Sequence, residues 1–301
     1  MTALTLVCWN LENNGKGAPQ RRHADELLQS LNADIIFRQE LWDAGANGKV
    51  IVNEQTDTLG LPGVLGEGSC TALFYNPAKF SVVRPRMQNR ARAPQHVMLP
   101  AAVTLRHEAA GPDALPFNAI SYHLNDVNAK QRLVEAKWLT TWADNAWSTS
   151  GRQRHSLPTI YAGHTNSYPT ASRGDLPLPD LSTVKNQPHR LHRSYAGPSG
   201  QRIPDTRPDS AFRTAGLEDA ALYWATAPHG DPTALTRTVN ACDTYGPDSR
   251  VDRTYLTPEL LPAITGFDVI EVDEGLSPHH ILRLTLDGDQ LSDILNHPAS
   301  A

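Results

Sequence analysis

The sequence predicts an α/β fold, and three observations support this. Short runs of apolar and β-branched residues, typical of buried strands, recur along the chain. Segments with apolar residues at spacings of three and four, typical of amphipathic helices, lie between several of them. Polar residues follow directly after many of the strand-like runs. Because α/β sheets collect their functional groups at strand ends, the pattern predicts a site at one edge of the sheet.

Composition sets the class of protein. The chain has 301 residues, 40% of them apolar, which is enough for a sizeable core. A net charge of −5 gives no overall indication of a nucleic-acid binder. Cys8, Cys70 and Cys242 are scattered without C-x-x-C spacing, which argues against a disulfide framework. The first residues lack the pattern of a signal peptide or membrane span, so we expect a cytoplasmic protein.

A strand–helix–strand unit opens the chain. The apolar run Leu4–Trp9 predicts a buried strand, and the polar Asn10 follows it. Pro19–Leu31 has apolar residues at helical spacing and predicts an amphipathic helix. Asp34–Phe37 predicts a second buried strand, which leads to Glu40. The two polar positions are therefore expected at the same edge of the sheet.

The remainder of the chain continues the alternation. A helix is predicted over Ala129–Ala143. Further strands are predicted over Cys70–Tyr75, Phe80–Val83, Val97–Leu105, Phe117–Tyr122, Thr159–Ala162, Arg250–Leu256 and Ile281–Leu286. Residues 169–208 are rich in Pro, Gly, Ser and His without a sustained period, which predicts a long loop of the kind that is often functional. The absence of repeats and long linkers predicts one domain over residues 1–301.

The polar clusters form a recognisable series. In chain order they are Trp9-Asn10, Gln39-Glu40, Tyr122-His123-Leu124, Gly163-His164-Thr165-Asn166-Ser167, Arg250-Val251-Asp252 and Ser277-Pro278-His279. This series resembles the endonuclease/exonuclease/phosphatase superfamily, the deoxyribonuclease-I-like metal-dependent phosphoesterases, over nearly the whole chain. The resemblance implies a four-layer α/β/β/α sandwich, with two mixed β-sheets flanked by helices and a cleft along one edge.

The resemblance also implies roles for the matching residues. A divalent metal ion would sit on Asn10, Glu12 and Glu40. The catalytic set would be His123, His164, Asn166, Asp252 and His279. Within it Asp252 and His279 would form a carboxylate–imidazole pair, in which the acid fixes the tautomer of the ring. Substrate-binding residues would be Asn125, Arg190 and Arg193.

Two basic segments coincide with the expected rim of that cleft. From Ser182 to Arg213 there are six Lys or Arg residues against two Asp. The second segment, an arginine cluster without acids, comprises Arg84, Arg86, Arg90 and Arg92. A solvated loop is the simpler interpretation of each, and contact with substrate phosphates is the alternative.

The chain departs from the family pattern at two acids. His164 replaces the water-orienting Asp of Gly-Asp-x-Asn-Ser, and Pro278 replaces the Asp of Ser-Asp-His. Losing a carboxylate weakens a magnesium site, whereas imidazole suits zinc, iron, copper or nickel. The histidines His123, His164 and His279, with His280 as a fourth candidate, therefore predict either an unusual metal site or an acid–base cluster.

These observations favour a metal-dependent phosphoesterase-like hydrolase with an altered active site, in which His164 stands in as the general base. Two alternatives stay open: a relative that runs another reaction on a small metabolite, and a catalytically inactive binding module. The expected cofactor is Mg or Mn, with a histidine-preferring transition metal or no metal as the alternatives. The expected partner is a phosphate-containing small molecule or a nucleic acid. We expect no membrane association, and no protein partner is evident from the sequence.

Overall fold

The computed structural model describes residues 2–85, 96–148 and 154–298. The strands are Ala3–Asn10 (β1), Ile35–Gln39 (β2), Gly63–Leu65 (β3), Ala72–Tyr75 (β4), Phe80–Pro85 (β5), Ala101–His107 (β6), Phe117–His123 (β7), Ala146–Ser148 (β8), Arg154–Ser156 (β9), Thr159–His164 (β10), Ser194–Ala196 (β11), Arg202–Pro204 (β12), Glu218–Asp219 (β13), Asp252–Leu256 (β14), Ile264–Ile270 (β15) and Ile281–Asp287 (β16). The α-helices are Ala18–Ser30 (α1), Val50–Leu59 (α2), Ala129–Thr140 (α3), Gln187–His192 (α4), Arg207–Thr214 (α5), Ala220–Thr226 (α6) and Gly288–Asn296 (α7). Among the described helices, none is long and apolar enough to cross a membrane.

The large strands form two six-stranded sheets. The first has the order β15-β16-β1-β2-β4-β3, and the second has the order β13-β14-β10-β7-β6-β5. In the first sheet β1 pairs parallel with β2, and in the second β7 pairs parallel with β10. The neighbouring pairs β1–β16 and β10–β14 are antiparallel, so both sheets are mixed.

Alternation of side chains along the strands produces four layers. Leu6 of the first sheet and Val103 of the second belong to one apolar cluster between the sheets. The next residue, Val7, points to the other face and packs in a cluster with Leu28 of α1. On the second sheet, an outer cluster includes Phe212 of α5. This arrangement confirms the expected α/β/β/α sandwich.

Most predicted elements are present with shifted ends, but the 169–208 segment differs from the expected loop. It contains α4, the β11–β12 hairpin and the start of α5. Buried ion pairs anchor these short elements, and one joins Arg132 of α3 to Asp205 at 3.0 Å with both side chains inaccessible to solvent. Another joins Arg250 to Asp175 of this segment at 2.5 Å. Contacts of this kind leave no apolar period in the sequence, so the pattern could not reveal the elements.

The pairing of β7, β10 and β14 is what positions the site. His164 at the end of β10 lies opposite His123 in β7 and opposite Asp252 in β14. Gly163 makes the close pairing feasible, because a Cβ atom at this position would clash with the backbone carbonyl of Tyr122.

We expect Gly163→Ala to lower the free energy of unfolding by about 1–3 kcal/mol or more, because the new methyl group has to push β7 away from β10. Chemical denaturation measures this. Gly266→Ala is the matched control, since the nearest atom to its new Cβ lies 3.5 Å away. Equal losses in the two variants would contradict the packing argument.

Candidate active site

Four side chains meet at one edge of the second sheet. The ring of His164 lies 5.0 Å from that of His123 and 5.0 Å from that of His279, centroid to centroid. His123, His164 and Asp252 are delivered by neighbouring strands in register, and register partners share a face. His279 comes from the segment before β16, where its carbonyl accepts a 3.0 Å hydrogen bond from the Trp9 indole.

The buried Asp252 carboxylate holds two of these rings. One oxygen lies 2.7 Å from His164 Nδ1 and the other lies 2.7 Å from His279 Nδ1. Burial opposes ionisation of Asp252, but the charges and hydrogen bonds of the two imidazoles outweigh it and lower its pKa. Burial lowers the pKa of His279, but the charge and hydrogen bond of Asp252 together with the charges of Glu40 and Glu12 outweigh it and raise the pKa. His279 Nε2 has no partner in the described part of the chain, and the residue lines the central cavity.

Both ring nitrogens of His164 face hydrogen-bond acceptors. Nδ1 faces Asp252, and Nε2 lies 2.9 Å from Oδ1 of Asn166. The Asn166 amide is itself fixed, because its Nδ2 donates to the carbonyl of Leu124 at 2.7 Å. Burial lowers the pKa of His164 to about 4, and the interaction with Asp252 opposes this. A neutral ring has one bare nitrogen, so only one of the two contacts is a donated hydrogen bond. Because protein atoms lie 2.7 and 2.9 Å from the two nitrogens, the geometry does not favour the expected general-base role of His164.

Asn166 lines the cavity and also positions His164. Its Nδ2 carries two N–H groups, and the bond to the Leu124 carbonyl uses one of them, which leaves the other able to donate to a ligand. Its φ of 52° lies in the left-handed region that asparagine tolerates better than most residues. The turn after β10 is also held by the buried Arg253, which donates to Thr165 Oγ1 at 2.8 Å and pairs with Asp209 at 2.9 Å.

Glu40 forms a second polar centre at the end of the first sheet. Its carboxylate accepts hydrogen bonds from Asn10 Nδ2 at 3.0 Å and from the Asn13 N–H at 2.8 Å, and it lies 3.3 Å from His123 Nε2. Burial works against ionisation, but the contacts with His123 and Asn13 lower the pKa of Glu40. Glu40 has a φ of 58°, a costly conformation for a residue with a side chain and one that is common at functional sites.

A cavity of about 290 Å³ joins the two centres. Its inner wall comes from strand ends and includes Glu40, His123, His164 and His279. The remaining lining residues belong to the segments after β1, β2, β7 and β10 and before β14. Several of them were not expected from the sequence: Trp42, Asp126, Tyr168, His189, His192 and Tyr245. His189 and His192 lie beside Arg190 and Arg193, two of the predicted substrate-binding residues, and this proximity in the sequence could have indicated part of the wall.

Only one of the three predicted substrate-binding residues lines the cavity that the structure describes. Arg193 lines the cavity, whereas Asn125 and Arg190 lie outside the lining formed by the described residues. Asn125 Oδ1 accepts hydrogen bonds from the N–H groups of Val127 and Asn128 before α3, so its carbonyl oxygen has a local structural role.

Neither Arg84 nor Pro278, which the sequence also singled out, belongs to the cavity lining that the structure describes. Of the arginine cluster, Arg84 stacks over Trp147, and Arg86, Arg90 and Arg92 lie outside the described residues. Pro278, the second departure from the family pattern, accepts a 3.1 Å hydrogen bond from the Asn240 N–H through its carbonyl and is not part of the cavity lining that the structure describes.

Comparison with known proteins finds a match in fold but not in sequence. Neither a search of protein-family models nor a search of curated proteins finds a match. Solved structures do match: an AP endonuclease from Archaeoglobus fulgidus has 14% identity and a TM-score of 0.60, over 94% of this chain and 99% of that one. The fold is that of the endonuclease/exonuclease/phosphatase proteins.

Two further structures support this. An endonuclease/exonuclease/phosphatase family protein from Bacteroides thetaiotaomicron has 16% identity and a TM-score of 0.58, over 95% of each chain. A mannosyl-6-phosphatase from the same species has 16% identity and a TM-score of 0.54, over 93% of this chain and 98% of that one. At such identities the likeness establishes the endonuclease/exonuclease/phosphatase fold and leaves substrate and reaction to the site itself.

The oxygen atoms around Glu40 fit the divalent cation that this fold implies. Asn10 Oδ1 is buried without a hydrogen-bond partner among the described residues, as expected of an atom placed for a ligand. The Glu40 carboxylate is ionised, and Glu12 adds a second carboxylate at the cavity. Hard oxygen donors of this kind suit Mg²⁺ or Mn²⁺.

The second group with metal-binding side chains fits less well. Donor atoms of His164, Asp252 and His279 lie within 4.8 Å of one another. The two Nδ1 contacts are already 2.7 Å hydrogen bonds to Asp252, and a metal there would have to replace them.

We therefore expect Glu40→Gln to weaken Mn²⁺ binding by about tenfold or more, because a neutral amide replaces the charged ligand. Isothermal titration of metal-free protein measures this. His23→Ala, at an exposed histidine of α1, is the control and should bind as the unaltered chain does. Loss of binding in His164→Ala with none in Glu40→Gln would place the metal on the histidines instead.

Proposed function

We propose that this chain is a metal-dependent phosphoesterase-like hydrolase, which cleaves phosphate monoesters or diesters with an altered active site. The observation that supports this most is the Asp252–His279 pair, which holds an imidazole by a 2.7 Å hydrogen bond beside the cavity that Glu40 also lines. An imidazole donor with a raised pKa and an oxygen-rich cation site on one small cavity suit the binding of a phosphoryl group.

His279 acts in this proposal as the donor that stabilises the transferring phosphoryl group. With its pKa raised, the ring carries protons on both nitrogens in a larger fraction of molecules near neutral pH. Nδ1–H donates to Asp252, and Nε2–H is left to donate to a phosphate oxygen as negative charge accumulates there. A fixed donor of this kind costs no reorganisation during the reaction.

The Glu40 centre complements the His279 donor in this proposal by binding the cation. A divalent cation held by Asn10, Glu12 and Glu40 would supply Lewis-acid polarisation of the phosphate oxygens. His123 holds the Glu40 carboxylate from the other sheet through its 3.3 Å contact. The two sheets thereby fix the distance between the cation site and His279.

His164 is a positioning residue in this proposal. Its hydrogen bond to Asp252 keeps the carboxylate oriented toward His279, and Asn166 keeps His164 in place. The water-orienting carboxylate of the family pattern has no substitute at this position, so we expect turnover slower than that of an enzyme with a positioned base, which is worth about 10²–10⁴-fold. The same observation favours the second candidate function, a binding module for phosphate esters.

Hydrolysis of bis(p-nitrophenyl) phosphate with Mn²⁺ tests the proposal. We expect the rate to fall as pH rises through the raised pKa of His279, because the charged ring is the active form. Asp252→Asn removes the charge that raises this pKa, so the decline should move to lower pH. His279→Ala should cost about 10²–10³-fold, the typical effect of one lost oxyanion donor.

His23→Ala is again the control for replacing a histidine. A rate that increases with pH and is lost in His279→Ala would instead make His279 a general base. Full activity in His279→Ala would overturn the proposed pair. An unaltered chain that hydrolyses neither monoesters nor diesters, yet binds them, would favour the binding module.

A further inference from the structure

Arg193 presents an unpaired positive charge to the cavity. It follows α4 directly and lines the cavity, and its Nη1 is buried without a hydrogen-bond partner within residues 2–85, 96–148 and 154–298. Burial and the nearby Arg132 lower the pKa of Arg193 to about 10, so the side chain stays cationic at neutral pH. The residue as a whole is half-buried, and Asp126 and Asp252 are near enough to favour its charge, but neither forms an ion pair with it in the described part of the chain. An anionic ligand would supply the charged hydrogen bond that Nη1 lacks.

The backbone of Arg193 is held from both sides. Its N–H donates to the His189 carbonyl at 2.9 Å, and its carbonyl accepts from the Asp205 N–H at 3.0 Å. Asp205 is in turn fixed by the buried Arg132. Arg193 is therefore positioned before a ligand arrives, which reduces the entropy lost on binding.

Aromatic side chains line the same cavity. Trp42 and Tyr245 are 43% and 42% exposed, which is unusual for such large rings and places apolar surface at the cavity mouth. The ring of His189 lies 4.7 Å from that of Tyr245. Burial, with Arg193 adding to it, lowers the pKa of His189 to about 3, so the ring is neutral and suited to stacking.

The size of the cavity limits the ligands that it can bind. At about 290 Å³ the cavity is at the small end of ligand sites. His189, His192 and Arg193 line one part of it, and the chain as a whole carries a net charge of −5. A nucleic-acid duplex needs a broad track of positive charge for its phosphates.

We infer that this cavity binds a small phosphate ester with a planar ring, about the size of one nucleotide, with Arg193 on the phosphate and the ring against Tyr245 and Trp42. The inference deepens the proposed function and rests on it for the statement that the ligand is a substrate. Nucleic-acid polymers are the competing occupants.

Kinetics with two diesters that share the chromogenic p-nitrophenyl group test the nucleoside and the charge separately. The first is the p-nitrophenyl ester of thymidine 5′-monophosphate, and the second is methyl p-nitrophenyl phosphate, which lacks the nucleoside. Arg193→Ala should raise KM for both by about 10- to 100-fold with little change in kcat, since it removes a charged hydrogen bond. Tyr245→Ala should raise KM by about fivefold or more for the nucleotide ester only, since it removes a stacking partner.

Arg213→Ala, at an exposed arginine of α5 outside the cavity lining that the structure describes, is the matched control and should leave KM unchanged. Arg193→Lys should recover part of the loss, because it restores the charge, and it replaces the alanine variant if that variant does not fold. Plasmid or duplex DNA cleaved with a higher kcat/KM than the nucleotide ester would overturn the inference, as would equal KM values for Arg193→Ala and the unaltered chain.

Equilibrium binding separates failure of the inference from failure of the proposed function. Titration calorimetry with thymidine 5′-monophosphate needs no turnover. Binding that weakens in Arg193→Ala, in a chain that hydrolyses no ester, would support the ligand and overturn the hydrolase. Hydrolysis of methyl p-nitrophenyl phosphate without binding of the nucleotide would support the hydrolase and overturn the inferred ligand.

Discussion

The shared carboxylate of Asp252 is the interaction on which the site depends. Each of its oxygens meets one imidazole nitrogen at 2.7 Å, so a buried charge is matched by two donors. A buried carboxylate without such partners would be strongly destabilising. The pairing of β7, β10 and β14 delivers His123, His164 and Asp252 together, and His279 completes the set from the segment before β16. Strand register and charge compensation therefore specify the same arrangement.

The structure gives a physical reason for a histidine at position 164, where the family pattern has an acid, and the sequence alone could not show it. An aspartate at this position would lie in register with Asp252, and two neighbouring carboxylates repel each other unless a cation lies between them. The imidazole turns that repulsion into a hydrogen bond. In the proposed function His164 therefore fixes Asp252 and does not orient water.

Much of the framework was predictable from the sequence, because it follows local patterns. The apolar runs at Leu4–Trp9 and Thr159–Ala162 lie within β1 and β10, and the polar residues after them reach the site. Which ring nitrogen faces which acceptor depends on strand register, and so could not be read from spacing. The Arg132–Asp205 pair joins residues 73 positions apart, and no local pattern reports such a contact.

The same long-range pair bears on the inferred ligand. The fold is shared with an AP endonuclease and a mannosyl-6-phosphatase, so the fold alone does not determine the substrate. In this chain residues of α4 and Arg193 line one part of the cavity, and Arg132 holds both Asp205 and the carbonyl of His192. Segments held on a rigid scaffold often carry the residues that bind a ligand. These buried contacts therefore support the part of the cavity wall to which the inferred ligand would bind its phosphate.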